Sequence, residues 1–310
     1  MPLNSISSQA NSSPSTSEYE TYPKISIITP SYNQGSFIEA TIQSVLSQNY
    51  PNLEYIIIDG GSTDQTIEII KKYQSSLTCW VSESDRGQSH AINKGFDRAT
   101  GEIMAWLCAD DLYLPNALFT IADHFKAHPK DELIYGDGWK IDEQGNILFK
   151  FTSSPTTTLN ELCKWCYVFT PGTFWRRSLW QKVGSSVDEN LNYIMDWDLI
   201  IRMARERMPV KVVGDITAVR VHAQSKTNMG VSGDAKYKKQ RDLEVAKLSR
   251  KYAGSFCFNS IAYELKRIAE ISENLRSPKI VQKVISRILY SPLNTYCTVS
   301  GNPKSAILNN

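Results

Sequence analysis

Two adjacent aspartates, Asp110 and Asp111, end the apolar run "GEIMAWLCA" and are followed at once by a second apolar segment, "LYLP". Neighbouring carboxylates repel, and at the end of a buried strand the pair is costly unless a cation or hydrogen-bond donors compensate. Hard oxygen ligands of this kind bind Mg2+ or Mn2+, ions that complete their coordination with substrate phosphates and water. A second reading is open, because an aspartate after a strand can instead cap the helix that follows.

Asp196 opens the helical stripe "DWDLIIRMARER". There it is placed to cap the helix. Glycine-rich phosphate loops are absent: "DGGSTD" has the spacing of neither G-x-G-x-x-G nor a P-loop. That argues against a dinucleotide dehydrogenase and a P-loop kinase, so any phosphate must be held by other means.

The elements around these residues alternate. "KISIITP", "LEYIIID", "LTCWVSE" and "GEIMAWLCA" read as strands, with the helical patterns "SFIEATIQSVLSQ", "QTIEIIKKYQ" and "SHAINKGFDRA" between them. Such β-α-β units predict a largely parallel sheet covered on both faces, and apolar runs without polar alternation fit buried strands. Ligands on open α/β sheets bind beyond the carboxyl ends of the strands. Residues 30–33, 59–64, 83–86 and the pair at 110–111 all fall at that edge. Further on, "LPNALFTIADHFKAHP" predicts a helix, and "ELIYGDGWKIDEQGNILFKF" predicts strands joined by a Gln-Gly-Asn turn. "VKVVGDITAVRVH" predicts two short strands, the second ending at His222.

Taken in order, "KISIITPSYNQGSFIEATIQSVLSQNYPNLEYIIIDGGSTDQT", "SDRGQSHAINKG", "ADD", "MDWDL" and "RVHAQSKT" resemble the family-2 glycosyltransferases of the GT-A fold, over about residues 24 to 227. The resemblance implies a Rossmann-like, mostly parallel α/β sheet flanked by helices. It also implies transfer of a sugar, with inversion, from a nucleotide-diphospho-sugar donor, a UDP-sugar first among them, to an acceptor hydroxyl, with Mn2+ or Mg2+ as cofactor. On that resemblance Pro30 and Ser31 line the nucleotide pocket, and Asp59 and Asp85 contact base and ribose. Asn93 and Gly95 belong to the donor-side motif. Asp110 contacts ribose or donor sugar, Asp111 is the main metal ligand, and Asp196 is the catalytic base. His222 completes the metal or pyrophosphate site, or is a hydrogen-bonded structural histidine. The chemistry is consistent: a leaving nucleoside diphosphate needs charge stabilisation, and the acceptor needs a base opposite it.

The chain departs from the family pattern in two places. Cys108 and Ala109 precede the pair where Asn or Ser-like residues are usual, with neither needed as a ligand, and Met195 stands where Glu commonly precedes the base.

The totals bound the remaining classes. With 310 residues, 41% hydrophobic and 21% charged, the chain has ordinary globular composition. No apolar run reaches the roughly 20 residues needed to span a bilayer. Six scattered cysteines fit reduced thiols in a cytoplasmic protein. Residues 1–230 carry 20 basic against 26 acidic residues, and residues 231–310 carry 14 against 6. The expected organisation is a disordered tail over 1–22, a transferase domain over 23–230 and a basic helical extension over 231–310.

In that extension "SPKIVQKVISRILYSP" makes a basic amphipathic helix. It can lie peripherally on an anionic inner membrane surface, where lipid-linked acceptors occur, or dock on the catalytic domain. No basic stripe with interleaved aromatics marks the body, which argues against nucleic acid. "CKWC" at Cys163 and Cys166 reads as a shared buried helical face, and His124 with His128 as a solvated helix end. Arg176-Arg177 reads either as a phosphate or acceptor contact or as a surface pair. The leading expectation is a glycosyltransferase of polysaccharide or glycan assembly with a glycan or lipid-linked acceptor. A nucleotidyltransferase, which would want a basic glycine-rich first loop that "TPSYNQGS" lacks, and a non-catalytic sugar-nucleotide binder are the alternatives.

Overall fold

The computed structural model describes residues 22–154, 158–164, 166, 168–226 and 235–253. They fall into two units: the first holds the described residues up to Leu159 and those from 168 to His222, and the second holds 160–166 and those from Ala223 onward.

The first unit is built on a nine-stranded sheet of order β3-β2-β1-β4-β8-β6-β9-β5, with β7 pairing β6 off that path. β1 (Ile25–Ser31), β2 (Leu53–Asp59), β3 (Cys79–Ser82) and β4 (Ile103–Trp106) are parallel neighbours. β8 (Thr173–Arg176) runs antiparallel between β4 and β6 (Leu133–Ile141), and β9 (Val210–Arg220) lies parallel to β6. The short β5 (Leu112–Tyr113) closes the order antiparallel to β9. The expected α/β sheet is therefore present, mostly parallel on one side and mixed on the other.

The sequence pattern explains the burial. All seven residues of β1 are buried. Ile25 and Ile27 join one apolar cluster and Ile28 the other, as the two-residue repeat of a strand requires. One face is covered by α1 (Ile38–Leu46) and α4 (Ala117–Ala127), through Ile38, Ile42, Leu118 and Ile121. The opposite face takes α3 (Gln88–Phe96), through Ala91, Ile92 and Phe96, and α7 (Met195–Glu206), through Leu199 and Met203. Each fully buried isoleucine contributes roughly 1.5–3 kcal/mol. α2 (Thr66–Tyr73) follows the β2 loop, and α6 (Arg177–Lys182) follows β8.

Two expectations are revised. The segment read as two short strands before His222 is the single strand β9, whose register against β6 shifts on either side of Asp137 and which bends where Gly214 takes a φ of 139°. The Gln-Gly-Asn turn does join β6 to β7 (Ile147–Phe151), with the Asp142 carboxylate accepting from the amides of Gln144 and Asn146. In the second unit, α5 (Leu159–Leu162), whose first residue belongs to the first unit, ends before the cysteines. Cys163 is buried and Cys166 half-buried, and neither is in a helix, so they do not share a helical face. α8 (Ala235–Ala253) is the described part of the basic extension. Of the expected tail over 1–22 only Tyr22 is described, and it packs against Tyr50 and Phe119; the amphipathic segment over 277–292 lies outside the described residues.

Candidate active site

Four loops meet at the carboxyl ends of the strands. At the end of β2, Asp59 is fully buried. One of its oxygens accepts from the amides of Gly61 at 3.1 Å and Ser62 at 2.9 Å and from the Ser82 hydroxyl at 2.7 Å, while the Ser62 hydroxyl reaches the other. This carboxylate shapes the turn from within and presents no surface to a base or ribose. Asp85 does lie at the edge: a Cβ on Gly60 would come within 2.9 Å of its Oδ2, so glycine at 60 is what lets the two loops close up. The loop after β1 is pinned to the same turn. Asn33, at φ 51°, donates its amide to the Ser62 hydroxyl at 2.7 Å and accepts from the Thr63 amide at 2.9 Å. Gly35 donates its amide to Asp64 at 2.8 Å. Pro30 and Ser31 end β1 beside this turn, opposite Ile58 and Asp59. The buried Ser31 hydroxyl has no hydrogen-bond partner among the described residues, a donor and acceptor facing the edge with nothing to satisfy it.

The aspartate pair follows β4. Beyond Trp106 the chain turns, with the Asp111 amide donating to the Cys108 carbonyl, and enters β5 at Leu112. The next helix, α4, starts only at Ala117 behind Asn116, a left-handed residue at φ 63°. Capping is thus not what these aspartates do. Cys108, Asp110 and Asp111 each offer a ligand atom within 4.8 Å of the others. Asp111 is 4% exposed, its Oδ1 accepts from the Arg220 amide at 3.0 Å, and among the described residues it has no ion pair. Burial and then the neighbouring Asp110 push its carboxyl well above the usual carboxylate range, against the opposing charges of Lys140 and Arg220. A buried, charge-repelled oxygen donor beside a second one is a setting that a hard divalent cation relieves, so the residues fit Mg2+ or Mn2+.

Arg220, Phe37 and Lys140, to which the sequence reading gave no role, complete this corner. Arg220, at the end of β9, donates its Nε to the Asp110 carbonyl at 3.1 Å and its Nη1 to the carbonyls of Asp142 at 3.1 Å and Glu143 at 2.7 Å. Its guanidinium lies 5.1 Å from the Phe37 ring centre, and that ring is 4.6 Å from His222. His222 is buried, with Nε2 at 2.9 Å from Asp110 Oδ2. Lys140, on β6, sits opposite Val219 in the register and acts electrostatically on both aspartates. Burial lowers the Lys140 pKa and the two carboxylates oppose that shift. Cys108, read from sequence as a bystander, has its sulfur in the acidic cluster and accepts from Gln88 Nε2 at 3.2 Å. A repeat of two from His222 back to Arg220 is the one sequence signal for any of these, since both follow from β9 being a strand.

Asp196 is in the first turn of α7 and half-buried, while the helix begins behind Ile194 without a side-chain cap. Asp196 Oδ1 accepts from the adjacent Trp197 amide at 2.8 Å. Asp196 is thus not the N-cap residue, although it satisfies one first-turn amide. Asp198 is buried and held by Arg202 at 2.8 Å, which leaves Asp196 as the accessible carboxylate of that turn. The preceding residue, Met195, packs in the same apolar cluster as Cys108, and Ser89 donates to the Leu191 carbonyl at 3.1 Å, so the start of α7 belongs to this edge.

Other expected residues have structural partners of their own. Asn93 clamps the segment before α7: its Nδ2 donates to the Val187 carbonyl at 3.0 Å and its Oδ1 accepts from the Val187 amide at 2.8 Å. Glu189, in that segment, also pairs with Arg86 at 2.7 Å. Gly95 is a packing residue, since a Cβ there would stand 2.3 Å from Ile28 Cγ2. Arg176 pairs with Glu102 and donates to the Asp131 and Phe125 carbonyls, opposite the start of β4 and thus at the far end of the sheet from the aspartates. A phosphate role for it is ruled out by that placement. His124 is tied to Asp131 at 2.8 Å and is 16% exposed, not a freely solvated helix end.

Comparison with known proteins identifies the family and the fold. The model of the family described as "Glycosyl transferase family 2" matches residues 26–179. An uncharacterised glycosyltransferase of Rickettsia typhi is 30% identical over 222 residues, 68% of each chain. A PGL/p-HBAD biosynthesis glycosyltransferase of Mycobacterium bovis is 30% identical over 189 residues, 58% of this chain and 69% of that one. Among solved structures, S. aureus TarS 1-349 in complex with UDP-GlcNAc aligns with a TM-score of 0.60 at 17% identity, covering 89% of this chain and 87% of that one. The mannosyltransferase PcManGT of Pyrobaculum calidifontis, in complex with GDP-Man and Mn2+, aligns at 0.56 and 17%, covering 91% and 84%. At those identities the two structures speak for the fold, which is GT-A.

Proposed function

Since the chain belongs to glycosyl transferase family 2 and is a glycosyltransferase, we propose that it moves a sugar from a nucleoside diphospho-sugar donor to an acceptor hydroxyl with inversion, using Mn2+ or Mg2+. The observation that carries this reading is the buried Asp111 beside Asp110 at the carboxyl edge, with no ion pair of its own among the described residues.

Asp111 and Asp110 would hold the cation, which as a Lewis acid would offset the charge of the departing nucleoside diphosphate, and His222 would complete the site. His222, through its contact with Asp110, orients that carboxylate. Ser31 and Asp85 bind the nucleoside, Pro30 walls its pocket, and Asp59 acts indirectly by fixing the turn on which they rest. Asn93 likewise acts by clamping the segment that leads into α7. Asp196 takes the acceptor proton: it is exposed enough to meet a substrate, and the α7 dipole favours its ionised form. A base facing the donor carbon opposite the leaving group is the arrangement that inverts.

UDP is the first candidate for the nucleotide, as a fold neighbour is recorded with UDP-GlcNAc, and GDP is the second. Family membership removes the nucleotidyltransferase alternative. We assign the acceptor to a glycan or lipid-linked saccharide in polysaccharide assembly on the cytoplasmic face. No described helix is long and apolar enough to cross a membrane. α8 carries seven basic against two acidic residues, which favours peripheral contact with anionic lipid. The deciding experiment is calorimetric titration with UDP, GDP, CDP and TDP, with and without Mn2+. Binding of one that depends on the metal supports the reading, and a folded protein that binds none overturns it.

A further inference from the structure

The corner that holds the acidic pair contains two cations of opposite character. Arg220 is locked: three carbonyls accept from its guanidinium, and Phe37 lies against it. Lys140 is not. Its neighbours in the same sheet region are paired, Lys150 with Asp215 at 2.8 Å and Lys211 with Asp137 at 2.9 Å. Lys140 has no ion pair within 4.0 Å among the described residues, although its side chain is half-buried and its ammonium is 5.8 Å from the Phe169 ring centre.

The register fixes where that ammonium can go. Lys140 is opposite Val219 on β9, and Leu112 of β5 is opposite Ala218, so Asp111, one residue before Leu112, lies beside Val219 from the other side. Residues abreast on neighbouring strands project to the same face, and β6 and β5 are two strand spacings apart, ~10 Å. Lys140 and Asp111 therefore flank β9 at Val219 and Arg220, the Arg220 amide donating to Asp111 Oδ1 at 3.0 Å. A half-buried ammonium without an ion pair is costly, and a flexible lysine is a point charge able to follow an anion.

We propose that Lys140 is a catalytic residue that binds the diphosphate of the donor and remains on the leaving nucleoside diphosphate. This rests on the nucleotide-sugar reading above. With a divalent cation held by the two aspartates, Lys140 would be released from their attraction, and phosphate oxygens would be its partner. As the bond from the sugar carbon to the phosphate oxygen breaks, the electron pair stays with that oxygen. The diphosphate gains one negative charge, which Lys140 meets at close range. Lys140 thus holds the departing group more tightly than the intact donor, the condition for lowering a barrier.

The test compares the full chain with Lys140→Met and Lys140→Arg. Calorimetry is run with Mn2+ alone, then with UDP, GDP, UMP and GMP in the presence of Mn2+. In Lys140→Met the bound diphosphate should weaken roughly 10- to 100-fold, the loss of one charge-assisted contact. Mn2+ alone should bind as well as before or more tightly, because a positive charge has gone, and Lys140→Arg should recover most of the diphosphate affinity. Diphosphate affinity within twofold of wild type in Lys140→Met overturns the proposal. So does a parallel loss of Mn2+ binding, which would make Lys140 a support of the acidic pair. Failure of the wild type to bind any nucleotide would instead sink the nucleotide-sugar reading, and the Lys140 assignment with it.

Discussion

His222 Nε2 stands 2.9 Å from Asp110 Oδ2, joining positions 112 residues apart in the chain. The contact exists because β9 runs alongside β5, so the residue leaving β9 arrives beside the turn that enters β5. Partners of metal-binding carboxylates are worth about 10- to 100-fold in metal affinity. His222→Ala should lower Mn2+ affinity by about that factor, as read by titration with detection of free Mn2+ by electron paramagnetic resonance. Unaltered affinity would reduce His222 to a packing partner of Phe37.

Asp111→Asn should have opposite effects with and without metal. Without metal it removes a buried carboxyl whose charged form burial and Asp110 both oppose, so the melting temperature at neutral pH should rise or stay level. With Mn2+ the wild type should gain stability and the variant should gain none. Thermal melts in chelator and in excess Mn2+ check both, and an equal Mn2+ gain in the two proteins would take Asp111 out of the metal site.

Asp196→Asn keeps size and most hydrogen bonding while removing the base. Donor affinity should stay within about twofold, and transfer should fall by roughly 100- to 10,000-fold. Single-turnover transfer measured beside donor binding separates the two effects. A variant that turns over at the wild-type rate would assign the base elsewhere.

Glu54 is buried at the opposite end of the sheet. Burial raises its pKa, but contacts from Ser26, from the Thr100 amide and hydroxyl and from Lys24 outweigh that and hold it down at about 2. A carboxylate with a depressed folded pKa stabilises the protein above its unfolded pKa, and the contribution is lost as pH falls through the folded value. Glu54→Gln should therefore cost about 2 kcal/mol at neutral pH. The gap between variant and wild type should close between about pH 5 and pH 2, which denaturant unfolding across that range measures. A gap that is the same at every pH would mean that Glu54 acts by shape and not by charge.

Much of the fold is legible along the chain because burial on both faces leaves an uninterrupted apolar run, as in "ISIITPS" and "LEYIIID", and because each run stops at polar residues. The same feature marked the site edge, since residues ending parallel strands share one side of the sheet. Roles within that edge were less legible. Asp59 and Asp85 look alike as aspartates that follow apolar runs, yet the first is enclosed by Gly61, Ser62 and Ser82 and the second lies over Gly60. Asn93 and Gly95 sit in a donor-side pattern but hold the segment before α7 and the approach of α3 to β1.

By itself, then, the sequence determined the element types, the family resemblance and the aspartates available for chemistry, because periodicity and local composition act over a few residues. Tertiary structure decided which charges meet: Arg220 at Asp110 and Asp111, His222 at Asp110, Phe37 beneath both, and Lys140 across Val219. Those contacts depend on strand order and register between segments far apart in the chain. Register is set by how two buried faces pack and not by any residue's neighbours in sequence.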